Sequence, residues 1–458
     1  MNKTRLFAFA VLLSFALGTS ALAAAQDEST PEQAAIFRPE GTVITPESSV
    51  VRPEDAGVRY HTNHLIFVPA GRQVSSPNPD YTFAETPYSM ACVYKVGKTY
   101  AGCNPNAGGT ANLATGGWGA IALVDAFDNP NAASDLAFFS SYWGLPAANF
   151  TKVYANTSFG TLNGMTASCS GTPPGDMGWG LEEDLDIEWA HAMAPSAKII
   201  LVEACSNKGN DLYFAEQVAG IKVKADGGGD ISNSWGGGEF SGEVGTYDDV
   251  FYRYYPNRIT YFASAGDSGW GAAYPSSSPW VVSAGGTTVN RDVNGNFVNE
   301  SCWSGSGGGV SAYELWQNPP NINNGMGPWT NYQYEMAGTT ARQTPDLSFN
   351  ADPASGVFVY DTYEKSPGWY QVGGTSVASP SLAGIVNSAN NQEGQTPPGG
   401  GKYAAHENTL IYPQLYAHTA YHANFYDVVT GSNGTGHNAG TGYDQCTGIG
   451  SPRGKLGK

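Results

Sequence analysis

Two short runs that are apolar at every position most narrow what this chain can fold into: Ala120-Ile121-Ala122-Leu123-Val124, and Ile199-Ile200-Leu201-Val202 entered from Lys198. A strand with one face in water alternates apolar and polar residues. A run without alternation has to be covered on both faces, as in a parallel sheet held between helices. The rest of the pattern agrees. Ala132 to Trp143 reads as a helix ended by Gly144 and Pro146. A further helix runs from Asp211 with Leu212, Ala215, Val218 and Ala219 on one face, and Ile231 to Trp235, Ile259 to Ala263 and Trp280 to Ser283 follow as strands. Strands alternating with helices are joined by right-handed crossovers, so the expected fold is α/β: a doubly wound, mostly parallel sheet flanked by helices on both faces.

The N-terminus has another character. Lys3 and Arg5 precede the apolar stretch Leu6 to Leu17, then Gly18 and Ala21-Leu22-Ala23-Ala24-Ala25. A basic start, an apolar middle and small residues at the end make residues 1–25 a signal peptide, cut after Ala23 or Ala25. The run is shorter than the roughly 20 apolar residues of a membrane span, and no later stretch reaches that length. Export, to the periplasm or the medium, is therefore expected. Residues 26–85 hold Pro and Glu with little periodicity apart from Leu65-Ile66-Phe67-Val68, and read as an extended N-terminal segment or short propeptide ahead of one domain over 86–458. The six cysteines, Cys92, Cys103, Cys169, Cys205, Cys302 and Cys446, contain no C-x-x-C and suit disulfides rather than zinc. Cys92 and Cys103 are the pair nearest in sequence. With 40 acidic against 22 basic residues the formal net charge is −18, which argues against nucleic acid or an anionic membrane as partner. Protonation of the carboxyls removes most of that self-repulsion, so the composition suits an acidic medium.

Three segments carry candidate chemistry. Gly373-Gly374-Thr375-Ser376-Val377-Ala378-Ser379-Pro380 leads into a helical pattern with Leu382, Ala383, Ile385 and Val386. Its glycines permit a tight turn and close approach of a ligand. Ser376 then stands at a helix N-terminus, where free N–H groups and the macrodipole favour a developing oxyanion. A capping Ser would look the same in isolation. Along the helix Leu181 to Ala194, turned at about 100° per residue, Leu181, Leu185, Trp189, Ala190, Ala192 and Met193 fill one broad arc. Glu182 and Asp186, one turn apart, fall inside it. Asp184, Glu188 and His191 point the other way, onto an expected solvated face. Two neighbouring carboxyls on a core-facing arc raise each other's pKa, and burial raises both. Packing gives no reason to put them there, which makes them catalytic candidates. Asp267, in Phe262-Ala263-Ser264-Ala265-Gly266-Asp267-Ser268-Gly269, lies just past a strand at the carboxyl edge of the sheet, where α/β proteins place ligands. Alone it would pass for a turn residue.

The E-x-x-x-D helix, the A-G-D-S-G loop and the G-T-S-x-x-x-P turn, in that order, resemble the sedolisin family of serine-carboxyl peptidases, relatives of subtilisin. The resemblance runs from about residue 86 to the C-terminus. It implies a subtilisin-like sheet and a secreted, acid-acting, monomeric endopeptidase taking protein or peptide substrates. By the same match Ser376 is the nucleophile, Glu182 its general base, Asp186 the group orienting Glu182, and Asp267 the oxyanion donor. Ser234-Trp235-Gly236 is similar to the strand that pairs with substrate backbone. Serine attack on a peptide carbonyl gives an acyl-enzyme that water releases. Asp267 can donate only as a neutral acid, so activity is expected in acid, bounded below by protonation of Glu182. The resemblance also implies Ca²⁺, held by the Asp427 and Asp444 carboxylates and the carbonyls of Val428, Gly440 and Gly442. Residues 26–85 are far shorter than the prodomain usual in that family.

Two other readings compete. An Asp-His-Ser triad would use Asp125, His191 and Ser376, but His191 points about 180° from Glu182 on its helix and no H-G-T motif occurs. A secreted binding protein on the same fold would suit the 11 Trp and 26 Tyr. Against it, all four catalytic positions hold chemically competent residues.

Overall fold

The computed structural model describes residues 35–79, 84–254, 259–315, 340–390 and 411–458. The expected signal peptide lies outside them. Both all-apolar runs are central strands: β1 (Ala120–Ala126), then β2 (Asn149–Ala155), β3 (Lys198–Ala204), β4 (Gly229–Asn233), β5 (Ile259–Ser264), β6 (Val281–Asp292) and β7 (Leu347–Asn350). They lie in the order β2-β3-β1-β4-β5-β6-β7, every neighbouring pair parallel. On β1, Ile121 and Leu123 enter one apolar cluster while Ala120, Ala122 and Val124 enter the other, which is why no position could be polar.

Helices α1 (Ala132–Trp143), α2 (Met177–Met193), α3 (Gly209–Ala225) and α4 (Thr375–Asn390) cover the sheet. α2 and α4 pack together over the first cluster, and α3 covers the second against β1 and β3. The chain builds one half of the sheet on one side of β1 and then crosses to β4 on the other. The carboxyl ends of strands beside such a switch point form a crevice. Asp125, Ser234 and Asp267 all sit at or just beyond those ends.

Two strands extend beyond expectation. The strand anticipated at Trp280 to Ser283 runs through Val281–Asp292, because its second half pairs antiparallel with Phe297–Cys302 and, at Arg291 and Asp292, with Ile36–Phe37. The strand anticipated over Ile231 to Trp235 breaks at Ser234 into β4 and Trp235–Gly238. Three disulfides join Cys92 to Cys103, Cys169 to Cys205 and Cys302 to Cys446. Among the described residues no helix is long and apolar enough to cross a membrane.

One expectation is overturned. Asp184, Glu188 and His191 are fully buried rather than solvated. Helix α2 is enclosed all round, by α4, by α1 and by the strand Val357–Asp361. Its outer acids are met by backbone and amide donors: Asn129 Nδ2 reaches Asp184 at 2.8 Å, and the Tyr360 N–H reaches Glu188 at 3.0 Å.

Candidate active site

Ser376 is the second residue of α4, just after Gly374, whose φ of +101° is a conformation that suits glycine. The turn is tied to the loop after β5. The Thr375 N–H and hydroxyl donate to Asp267 Oδ1 at 2.7 and 2.8 Å, and the Gly266 N–H donates to Thr375 Oγ1 at 3.0 Å. Asp267 Oδ2 has no hydrogen-bond partner among the described residues. It lies against the bare face of Gly374, where a Cβ would come within 2.4 Å of it. Burial pushes the Asp267 carboxyl up to about 8, against the two Thr375 bonds that pull it down. Below that pH the group is neutral and its O–H can donate.

From the other side α2 presents Glu182 and Asp186, both fully buried. The Ser234 hydroxyl donates to Asp186 Oδ1 at 2.6 Å, and the Ser376 hydroxyl donates to the Ser234 carbonyl at 3.1 Å. Burial drives Glu182 well above the usual carboxyl range, although the Ser376 and Ser234 hydroxyls favour its charged form. Asp186 is raised by burial and by the nearby Asp125 and Glu182 carboxyls. Asp125, at the end of β1, is equally buried, with both oxygens unpartnered among the described residues. Thus Ser376, Glu182, Asp186 and Asp267 meet at one place, with Asp125 as a third inner acid. His191 is not there: its Nε2 is 2.9 Å from the Pro146 carbonyl, so the rival triad does not assemble.

Sequence reasoning missed what fills the crevice, which is the chain's own N-terminal segment. His61 and Thr62 pair antiparallel with Gly236 and Trp235, the Asn63 N–H donates to the Ser234 carbonyl at 3.1 Å, and the Ser376 N–H donates to the Asn63 carbonyl at 2.9 Å. The Asn63 carbonyl oxygen shares the bare face of Gly374 with Asp267 Oδ2. His64 Nδ1 lies 2.5 Å from Glu182 Oε2, both side chains fully buried. Burial lowers His64 to about 4 and raises Glu182. Beyond it, Leu65, Ile66 and Phe67 pair with Gly373, Val372 and Gln371. The only signal for this in the sequence was the apolar run at 65–68, too short to show which partner it would take.

A second group of acids is gathered behind α2. Asp135, Asp184 and Asp361, all buried, bring carboxylate oxygens within 4.8 Å of one another. At the C-terminal end, the expected calcium ligands fall in one loop system. The Gly442 N–H donates to Asp427 Oδ1 at 3.0 Å and the Gly440 N–H to Asp444 Oδ2 at 2.9 Å, so the glycine turn bridges the two carboxylates. Asp444 Oδ1 also accepts from the Cys446 and Thr447 N–H groups at 2.8 Å. Asp427 and Asp444 thus lie in one loop system, their carboxylates accepting from backbone N–H groups of the turns around them.

The Subtilase family model matches residues 163–442. Kumamolisin from Bacillus sp. (strain MN-32) is 30% identical over 367 residues, 73% of this chain and 58% of that protein. Sedolisin from Pseudomonas sp. (strain 101) is 32% identical over 231 residues, 46% of this chain and 32% of that protein. The chain therefore spans less than two thirds of either relative. The solved structure of Pseudomonas sedolisin complexed with two molecules of pseudo-iodotyrostatin superposes with a TM-score of 0.60 at 24% identity, covering 81% of this chain and 96% of that one. On its sheet, its matched residues and these relatives, the chain belongs to the subtilase family, as a sedolisin-like, serine-carboxyl member.

Proposed function

We propose that the protein is an exported serine-carboxyl endopeptidase that hydrolyses peptide bonds of protein substrates in acid. One observation carries the reading. The Ser376 N–H, at the start of α4, donates to a peptide carbonyl beside the unpartnered Asp267 Oδ2, so a peptide group already lies where an oxyanion would be stabilised. Ser376 attacks the carbonyl carbon, Glu182 accepts its proton, and the tetrahedral oxygen is held by the Ser376 N–H and the neutral Asp267. Collapse passes the proton to the leaving amine, and water releases the acyl group by the reverse sequence. Asp186, fixed by Ser234, stands against Glu182 and favours its holding a proton.

The pH profile follows from these groups. Asp267 loses its donor proton near 8, so the alkaline limb of kcat falls toward that value. Asp267→Asn keeps a donor at every pH and is expected to flatten that limb, whereas Asp267→Ala lowers kcat about 10²–10³-fold. Glu182 is raised chiefly by burial, which an empty cleft relieves. The acid limb of kcat, which reports the bound state, should therefore lie at higher pH than that of kcat/KM, which reports the free enzyme. Coincident acid limbs would count against this placement of Glu182.

Calcium is part of the same proposal, at Asp427, Asp444 and the carbonyls of Val428, Gly440 and Gly442. There it would cross-link the C-terminal loop rather than touch the reacting atoms. A chelator should lower the Tm of the wild type by several degrees and leave that of Asp427→Ala unchanged. Equal shifts in both would remove the site.

A further inference from the structure

Asp267 has two carboxyl oxygens, and they are bound differently. Oδ2 is shut off from solvent without a partner among the described residues, over the bare face of Gly374 that it shares with a peptide carbonyl oxygen. Oδ1 is held by the start of α4. There it accepts twice from one residue, from the Thr375 N–H at 2.7 Å and from the Thr375 hydroxyl at 2.8 Å. Thr375 is fully buried, and its hydroxyl oxygen in turn accepts from the Gly266 N–H at 3.0 Å. A backbone N–H can only donate, so the chain of bonds runs one way, from Gly266 to Thr375 and from Thr375 to Asp267. Two donors use both lone pairs of Oδ1. The neutral carboxyl carries a single proton, and that leaves its place on Oδ2.

We propose that Thr375 is a positioning residue for the hydrolysis: by filling Oδ1 with two donors it confines the acid proton of Asp267 to Oδ2, where that proton can meet the oxyanion. This rests on the reading of Asp267 as oxyanion donor given above. The same tie has a second consequence. A hydroxyl donating to Oδ1 favours the ionised carboxyl, and so works with the Thr375 N–H against burial and the Glu182 carboxyl, which raise Asp267. Removing the hydroxyl therefore acts in two directions. Oδ1 regains a lone pair that can take the proton, so fewer molecules present a donor to the oxyanion and kcat falls. The carboxyl also becomes harder to ionise, so the activity that remains persists to higher pH. A hydroxyl that merely held the loop in place would give the first effect without the second.

The test measures kcat and KM on a peptide substrate from pH 3 to 9 for the full chain and its variants, with folding followed by near-ultraviolet circular dichroism. Thr375→Val should lower kcat at pH 4 by about tenfold with KM little changed, and move the alkaline limb up by about one pH unit. Thr375→Ser, which keeps the hydroxyl, should restore both. In an Asp267→Asn background Thr375→Val should change kcat by less than about threefold, because a carboxamide cannot pass its donor to the other atom. A tenfold fall with the limb unmoved, or an equal fall in both backgrounds, would make the hydroxyl a structural tie and overturn the inference, leaving Asp267 its role. Wild-type values in Thr375→Val, or no recovery in Thr375→Ser, would overturn it equally. If Thr375→Val does not fold, Thr375→Ala replaces it under the same expectations, and unfolding of both would also mean a structural tie. An Asp267→Asn variant that keeps its alkaline limb, or has no activity at any pH, would remove the oxyanion role of Asp267 and this inference together.

Discussion

Ser376→Ala and Glu182→Gln should each lower kcat on a peptide substrate at pH 4 by on the order of 10⁴-fold or more, with KM changed little. The reason is geometric. Among the described residues Ser376 has no histidine as a hydrogen-bond partner, and the acid that can take its proton is Glu182, buried with it beneath the same segment. A residue that acts as nucleophile or base contributes to the transition state rather than to ground-state binding, so the loss appears in kcat. Glu182→Gln keeps shape and hydrogen-bonding capacity but cannot accept the proton. His191→Ala is the internal control, since that imidazole bonds the Pro146 carbonyl on the far side of α2. Its kcat should stay near the wild-type value. If Glu182→Gln kept even a tenth of the activity while His191→Ala lost it, the base would have to be reassigned.

Thermal stability should be greatest near pH 3–4 and fall steeply toward neutrality. The buried acids are the cause. Burial pushes Glu203 and Asp230 up to about 8, Asp361 to about 7 and Asp248 to about 6, and Glu183, Asp184 and Glu188 well above their usual range. Their unfolded values lie near 4. Below about pH 4 both states are protonated and the folded state has its full advantage. As pH rises from there, the unfolded chain releases protons that the folded chain still holds, so stability is lost until the folded values are passed near 8. Lys152, 3.1 Å from Glu203, tempers the shift of that acid. For a chain of this length, a loss of several kcal/mol between pH 4 and 7 corresponds to a fall in Tm of about 5 °C. Asp184→Asn, which keeps a neutral side chain at every pH, should flatten part of that slope. A Tm that holds constant from pH 4 to 7 would refute the argument.

Much of the fold could be read because burial on both sides of a sheet leaves an unmistakable mark. Ala120 to Val124 and Lys198 to Val202 could be little else, and the Gly144 stop placed the end of α1 correctly. The inner arc of α2 was legible too, because Glu182 and Asp186 interrupt an otherwise apolar face. Its outer arc was not. A helical wheel separates polar from apolar directions, but it cannot tell water from a ring of amide and backbone donors supplied by Asn129 and residue 360. The N-terminal strands escaped for a different reason. His61–Thr62 and Leu65–Pro69 are too short to show a period, and their pairing is decided by the crevice they enter. Hence Ser376, Glu182, Asp186 and Asp267 were recognisable from local motifs, and Asp125 was weighed as part of the rival triad, while Asn63 and His64 became visible only in three dimensions.

The strand Val281–Asp292 is paired at different points with β5, with β7, with Phe297–Cys302 and with Ile36–Phe37, so contacts from nearly the whole length of the chain converge on it. The bridge from Cys302 to Cys446 closes another span of 144 residues. Pairings so distant in sequence must meet their loop-closure entropy before they return any energy, which places this topology among slow folders whatever its final stability. Helices can form and dissolve many times while that strand waits for its last neighbour. The time taken to reach the native state is thus governed by the assembly of one strand, and substitutions at its pairing positions should change the folding rate more than any made in the helices.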